Sequence, residues 1–391
     1  MQPGLGISEV EIRTVHDGIA NGVRSDGRSL TQRRPFTIVH NRGDVTHFEG
    51  GSVEVQCDGT IVLAAATPSV VELDVSRGGT PRGLLFVSIV AAPAVVESHA
   101  QSLRNNSGRY RQAFLSQLAT TIRHTFGAEG VTAQERQQQL GIAEAEIIAS
   151  ENDNFNPSES ADEPKTIPIR DECVADTCSR RPEDRPVSYD CGFPGEQLYV
   201  GGGYAFRVDV DVHVLQSSGG NLASIISLAV HAVLKVVRLP SVTLHEASAG
   251  FSLEVDYSKP YASPVDWSRL PILNVILISP TRHYVVDPTR LEELALPQQL
   301  HVAVNNIGQV LHMRFHQLPS RRGNAMRLVS GNTGGLSGED DTHATENEGE
   351  CHVDANGVAV GMSISDMAAM LHAAVHISQA VVAECDEILA G

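Results

Sequence analysis

Lysine is scarce in this chain, and arginine supplies almost all of its positive charge. Only Lys165, Lys235 and Lys259 occur among 391 residues, and the 29 lysines and arginines face 47 acidic residues, which leaves a formal net charge of −18. This balance excludes a strongly basic protein that coats nucleic acid along its whole surface, but it permits a local basic groove.

Cysteine is also sparse, and none of the six cysteines forms a CxxC pair. Cys173, Cys178 and Cys191 share an acidic segment that has no well-spaced histidine. A zinc site there is one interpretation, and reduced, unpaired thiols are the favoured one. The histidines elsewhere are interpreted as fitting no metal spacing, so we predict no metal and no other cofactor.

Long apolar runs are absent too. No stretch approaches about 18 uninterrupted apolar residues, which excludes an evident membrane span, and the first residues lack the pattern of a secretory signal. We therefore expect a soluble, intracellular protein with no membrane partner. The hydrophobic content of 41% is enough for a sizeable core and excludes general disorder.

The negative charge is concentrated in two segments. Residues 144–190 contain 13 acidic and 5 basic residues, and residues 339–354 contain 7 acidic and no basic residues. Around them, at about 128–190 and 320–357, apolar periodicity is lost and polar residues, glycine and proline dominate. Both stretches are predicted to be acidic surface insertions.

Hydrophobic periodicity predicts helices and strands in a mixed order. Apolar residues recur at helical spacing over 7–23, 108–126 and 364–389, whereas Asp58-Gly59 between two apolar runs predicts a β-hairpin. Residues 206–212 alternate as a half-buried strand, and Gly219-Gly220 then leads into a helix that Asn221 is expected to cap. The fold class predicted from these patterns is α+β.

Two polar constellations are candidates for chemistry. Asp209 and Asp211 share one face of a strand and would bind Mg²⁺ or share a proton, unless they are simply solvated or paired across strands. Arg104, Arg109 and Arg111 accompany Tyr110, a combination that binds single-stranded nucleic acid through phosphate contacts and base stacking. A charged helix face is an equally good interpretation of that segment.

Several motifs, in this order, resemble the ribonuclease PH family and, within it, the ring subunits of the eukaryotic RNA exosome. They are the run RSDGR at 24–28 with Arg34 after it, GSV at 51–53, GTIVL at 59–63, VDVDVHVL at 208–215, GGNL at 219–222 and HYVVDPT at 283–289. The resemblance covers about 7–127, 190–318 and the last helix.

The resemblance implies a ribonuclease PH-like fold (ribosomal protein S5 domain 2-like) built of two similar β-α halves. The expected division is an N-terminal helix at 7–23, a first half at 24–240 and a second half at 241–391. It also implies a six-member ring with other ribonuclease PH-like subunits around a channel for single-stranded RNA. The further partners implied are S1/KH cap subunits and a catalytic exosome ribonuclease, in the nucleus, nucleolus and cytoplasm.

Active relatives cleave RNA from its 3′ end by phosphorolysis, and this sequence departs from their pattern twice. They hold phosphate with a Gly–Ser/Thr–Arg–Ser/Thr run at a helix start, where this chain has Asn221, Leu222 and Ala223. They also carry two aspartates six positions apart, for which this chain offers Glu293 and, at or near the second position, Gln299. The resemblance therefore implies a non-catalytic subunit that supports 3′–5′ RNA processing, including rRNA maturation. The alternatives are an active phosphate-dependent exoribonuclease and a free-standing regulatory RNA-binding protein.

Overall fold

The computed structural model describes residues 7–41, 47–73, 81–101, 108–128, 192–247, 250–296, 298–317 and 363–390. The predicted acidic insertions, apart from Ala128, and the cysteines at 173, 178 and 191 lie outside these residues. The chain divides into two compact units, residues 1–128 with 191–391, and residues 129–190. All of the described residues belong to the first unit, and the division of the chain into two halves at 240 stays a prediction.

The first sheet has the strand order β1-β2-β3-β6-β4, with β5 paired to β6. β4 runs parallel to β6, and the other pairs are antiparallel. Asp58 and Gly59 both have positive φ, of 42° and 76°, and form the predicted two-residue turn between β2 and β3. The bounds are β1 Thr37–Asn41, β2 Gly51–Cys57, β3 Thr60–Glu72, β4 Leu84–Ala91, β5 Tyr199–Gly201 and β6 Tyr204–Ser217.

The second sheet is antiparallel with the order β10-β9-β11-β12, and a separate hairpin pairs β7 with β8. Every residue of β9 is buried, which explains why its sequence is apolar apart from Asn274 and shows no alternation. The bounds are β7 Pro240–Ala247, β8 Gly250–Pro260, β9 Ile272–Ile278, β10 Tyr284–Val286, β11 Gln298–Val304 and β12 Val310–Gln317.

The helices are α1 Glu9–Ala20, α2 Pro93–Gln101, α3 Gly108–Phe126, α4 Leu222–Val236, α5 Arg290–Ala295 and α6 Ile364–Ala390. Ser8 and Glu11 form a capping box at the start of α1. The predicted helix over 7–23 is shorter in the structure because Gly22, with a φ of 73°, takes a left-handed conformation after Ala20.

Helix α4 lies between the two sheets and contacts β2, β3 and β9. All of its residues except Ala223 and Lys235 are buried, as expected for a helix that is apolar on every side. Its serines satisfy backbone groups of β9: the N–H groups of Leu273 and Val275 donate to Ser227 and Ser224. The helix is therefore attached firmly to the second sheet, and this fixes the position of its first turn.

Helix α6 is long and apolar enough to cross a membrane by length and composition alone. In the structure it packs on β9 and β11 through a buried stripe that includes Met370, Ala374 and Ser378. The core helix of a soluble protein passes the same test. Of its most apolar window, 33% is buried, and one such helix is weak evidence for a membrane span.

Candidate functional site: a buried charge cluster at the start of helix α4

Three chain segments meet at the first turn of α4. They are the loop after α1, the glycine turn before α4, and the turn that leads from β10 into α5. Gly220 allows the last two turns to touch, because a Cβ atom there would lie 2.4 Å from the backbone nitrogen of Arg290. The polar residues gathered here, called the charge cluster below, are Arg24, Asp26, Arg28, Arg34, Asn221, Asp287, Arg290, Glu292 and Glu293.

Asp287 occupies the centre of the charge cluster and is 2% exposed. Its Oδ2 accepts hydrogen bonds from the backbone N–H of Arg34 at 2.8 Å, from Arg34 Nε at 3.0 Å and from Arg28 Nη1 at 3.1 Å. Its Oδ1 accepts from Arg34 Nη2 at 2.9 Å. Burial would raise the pKa of Asp287, but the hydrogen bonds and charge of Arg34 prevail and lower it to about 2.

Arg34 links the loop after α1 to the glycine turn before α4 and to the turn that leads into α5. Besides Asp287, its Nη1 donates to the carbonyl oxygen of Gly219 at 2.5 Å and its Nη2 to that of Pro288 at 3.0 Å. Burial works to lower the pKa of this guanidinium, but the hydrogen bond and charge of Asp287 raise it above its ordinary value. Arg34 is therefore a permanently charged structural link whose donors are directed at groups of its own chain.

A second buried ion pair anchors the start of α5. Arg24 binds Glu292 through two hydrogen bonds, Nε to Oε1 at 2.9 Å and Nη2 to Oε2 at 2.6 Å. The Arg24 side chain is 0% exposed and that of Glu292 is 2% exposed. Glu292 also closes the capping box of α5 with Thr289, so one carboxylate serves the helix end and the ion pair together.

Glu293 reaches the start of α4 from the neighbouring turn. Its Oε1 accepts a hydrogen bond from the backbone N–H of Asn221 at 2.7 Å, and its Oε2 pairs with Nη1 of Arg290 at 3.1 Å. Burial raises the pKa of Glu293, although the charge of Arg290 opposes the shift. A backbone amide at the helix start, the kind of group that binds anions, is thus bound to a carboxylate of the same chain.

The predicted capping role of Asn221 is wrong. Asn221 has a left-handed backbone with a φ of 53° and makes no side-chain cap bond. Its Nδ2 donates to Oδ1 of Asp287 at 2.6 Å, whereas its Oδ1, the atom that would accept in a cap, has no hydrogen-bond partner. An N-cap residue typically has an extended backbone, and the left-handed conformation of Asn221 departs from it.

Two other positions compared with active relatives, Leu222 and Gln299, are not members of the charge cluster. Leu222 is 5% exposed and belongs to the core, so its side chain offers nothing to a ligand at the helix start. Gln299 is half-buried on β11, where it is paired with Leu277 and His316 of the adjacent strands.

The structure describes the predicted RNA-binding residues only in part. Arg104 lies outside the described residues, and Arg109 and Arg111 belong to the first turn of α3, where only the backbone is described. Their binding role stays a prediction.

The paired aspartates follow the solvated interpretation. Asp209 pairs with Arg207 at 2.8 Å, both side chains being about one-third exposed, and Asp211 is exposed. Within the described part of the chain, no group of three or more His, Cys, Asp or Glu residues could hold a metal ion.

Sequence reasoning did not predict that these arginines and carboxylates form one cluster. Arg24, Arg28 and Arg34 occur in the run that carries the family resemblance, but the sequence gives no sign that their partners lie more than 250 positions away. A buried arginine requires a buried acid. The acids that follow the apolar strand at 284–286 were the one feature of the sequence that could have indicated such partners.

Comparisons with known proteins support the fold. No protein-family model and no curated protein matches the chain. Among solved structures, an archaeal exosome core is 15% identical with a TM-score of 0.53, over 97% of this chain and 97% of that one. An Archaeoglobus fulgidus exosome with RNA bound to its active site is 15% identical with a TM-score of 0.52, over 96% of this chain and 98% of that one. The predicted α+β, ribonuclease PH-like fold is therefore confirmed.

Proposed function

We propose that this chain is a non-catalytic ring subunit of an RNA exosome core. It contributes a wall of the RNA channel and supports 3′–5′ RNA processing and degradation, including rRNA maturation, while another subunit performs the cleavage. The similarity of its fold to an archaeal exosome core supports the ring assignment. The hydrogen bond between the Asn221 amide and Glu293 is the observation that supports the absence of catalysis.

Phosphorolysis requires a bound and neutralised phosphate, and the charge cluster is already neutralised from within. Each arginine has a carboxylate partner. The pairs are Arg24–Glu292 at 2.6 Å, Arg28–Asp26 at 2.7 Å, Arg34–Asp287 at 2.9 Å and Arg290–Glu293 at 3.1 Å. A phosphate approaching Asn221 would meet the carboxylate of Glu293 in place of a free cation.

The second requirement of the active pattern is also unmet. Of the two acidic positions, Glu293 is engaged with Asn221 and Arg290, and Gln299 carries no charge. A side chain bound in this way is poorly placed to transfer a proton or to ligate a metal ion at a reacting phosphate.

The finer identity rests on sequence motifs. The opening run SEVE at 8–11 with His16, and the segment 284–289 with the glutamates after it, are similar to the ring subunit called ribosomal-RNA-processing protein forty-two. We extend the proposal to that subunit type. Its partners would be other ribonuclease PH-like subunits, S1/KH cap subunits, a catalytic exosome ribonuclease and single-stranded RNA, in the nucleus, nucleolus and cytoplasm.

Two measurements test the proposal. The purified chain, incubated with labelled single-stranded RNA, phosphate and Mg²⁺, is expected to release no nucleoside diphosphate above a mock preparation, and release above that level would overturn the non-catalytic assignment. A tagged chain is expected to co-purify with other ring subunits. Recovery of the chain without them would overturn the ring assignment and favour a free-standing RNA-binding protein.

A further inference from the structure

Helix α6 carries two histidines one turn apart on its exposed side. His372 and His376 are both exposed, and their Nε2 atoms are hydrogen-bonded to each other at 3.1 Å, so one ring donates a proton and the other accepts it. The ring centroids are 4.3 Å apart. The spacing of four residues brings both rings to one face of the helix, where side chains at i and i+4 are neighbours.

This separation is the one that a metal ion needs from two imidazole ligands. Zn²⁺ binds histidine nitrogen at about 2.0–2.1 Å, so two ligands at a tetrahedral angle lie roughly 3.3 Å apart. The Nε2 atoms are within a few tenths of an ångström of that separation before any ion is bound. An arriving ion would replace this hydrogen bond, and the donor ring would carry its proton on Nδ1 instead.

The helix provides a rigid setting. The buried stripe that fixes α6 to the second sheet, with Met370, Ala374 and Ser378, faces away from the pair. The neighbouring positions one turn away, Ala368 and Ala380, are small and leave the ring nitrogens accessible.

We propose that His372 and His376 form a surface site for a divalent transition-metal ion of the class that prefers imidazole, with Cu²⁺ bound more tightly than Zn²⁺ or Ni²⁺. Both rings bind through Nε2 in their neutral forms, with the proton of each ring on Nδ1. Because no third protein ligand is present among the described residues, water completes the coordination shell. The ion links two successive turns of α6.

The proposal departs from the prediction that the histidines fit no metal spacing. The sequence His-Ala-Ala-Val-His contains no cysteine and no third ligand, so it does not match a common metal-binding motif. Its spacing becomes meaningful once the segment is known to be a helix.

The experiment is a Cu²⁺ titration of the full chain, followed by electron paramagnetic resonance and by calorimetry. The chain offers a matched pair of double variants because Ala380 is exposed. His372→Ala with Ala380→His rebuilds an i, i+4 pair one turn later, with His376. His376→Ala with Ala380→His has the same composition but places its two histidines eight residues apart.

We expect the wild type and the rebuilt pair to bind one equivalent of Cu²⁺ with a two-nitrogen signal. Binding should weaken by at least about tenfold in His376→Ala and in the eight-residue variant, because the second ligand no longer acts intramolecularly. Equal affinity in all four proteins, or equal affinity of the two double variants, would overturn the proposal. Circular dichroism of each variant checks that α6 is intact.

Discussion

The backbone N–H of Asn221 lies 2.7 Å from Oε1 of Glu293 and donates a hydrogen bond to it, so the first turn of α4 faces a carboxylate of its own chain. Inorganic phosphate would have to displace that carboxylate. We therefore expect the melting temperature of the chain in millimolar phosphate to be no higher than its melting temperature in chloride at the same ionic strength. A ligand that binds the folded state raises stability by RT ln(1 + [L]/Kd), so a saturable rise specific to phosphate would contradict the occupied-site interpretation.

Gly220 permits the contact between the two turns, and its replacement tests whether that contact is required. Gly220→Ala places a Cβ atom 2.4 Å from the backbone nitrogen of Arg290, at a φ of 80°. Gly203→Ala is the control, because Gly203 has a similar φ of 88° but nothing within 4 Å of the added atom. The control should lose about 1–2 kcal/mol through backbone strain alone, and Gly220→Ala should lose clearly more in urea unfolding. Equal losses would show that the two turns separate easily.

Removing the central carboxylate should be strongly destabilising. Asp287→Asn leaves the buried guanidinium of Arg34 with only the exposed carboxylate of Asp58, 3.3 Å from its Nη1, and breaking a buried pair costs about 3–5 kcal/mol. The matched control is Asp209→Asn, whose partner Arg207 is about one-third exposed, so its loss should stay below about 1 kcal/mol. The free energy of unfolding in guanidinium measures both, and a similar small loss in the two variants would contradict the structural role of the charge cluster.

Buried neutral histidines should make the fold sensitive to mild acid. Burial lowers the pKa of His99 to about 4 and those of His231 and His301 to about 3. The charge of Arg290 adds to the effect at His99, that of Lys235 at His231 and that of His316 at His301. The unfolded chain binds these protons near pH 6.5, so stability present above that pH is lost as pH falls toward 4.

The expected size of this loss is about 1 kcal/mol per histidine at pH 5.5. Asp287 does not contribute there, because its lowered pKa affects stability only below its ordinary value of 3.8. Unfolding midpoints at pH 7.5 and 5.5 measure the loss of stability. His301→Gln should make that loss smaller by the contribution of one histidine. A midpoint that does not change between the two values would show that these rings accept protons in the folded state.

The predicted RNA path is tested by reversing one charge. In the assembled complex, Arg109→Glu should weaken RNA binding and reduce the dependence of log K on log salt by about 0.7 per lost phosphate contact. Arg13→Glu, on the exposed side of α1, is the charge-matched control and should leave RNA binding unchanged. Unchanged binding by an intact Arg109→Glu complex would contradict the channel assignment, and a broken complex would favour an interface role for this arginine.

Local features of the fold were predictable because neighbouring residues determine them. The Asp58-Gly59 turn follows from the ease with which those residues adopt positive φ. The apolar stripe of α6 follows from the 3.6-residue period of a helix that is covered on one side. The mixed α+β class followed from such signals, and the family resemblance added the overall arrangement.

The charge cluster was decided by the tertiary structure alone. Arg34 and Asp287 are separated by 253 positions, and only the packing of α4 between the two sheets brings their segments together. The same packing turned Asn221 from an expected helix cap into a donor to Asp287. Sequence periodicity indicates which residues are buried. The partner of a buried charge depends on which segments lie close together, and this is determined only when the whole chain has folded.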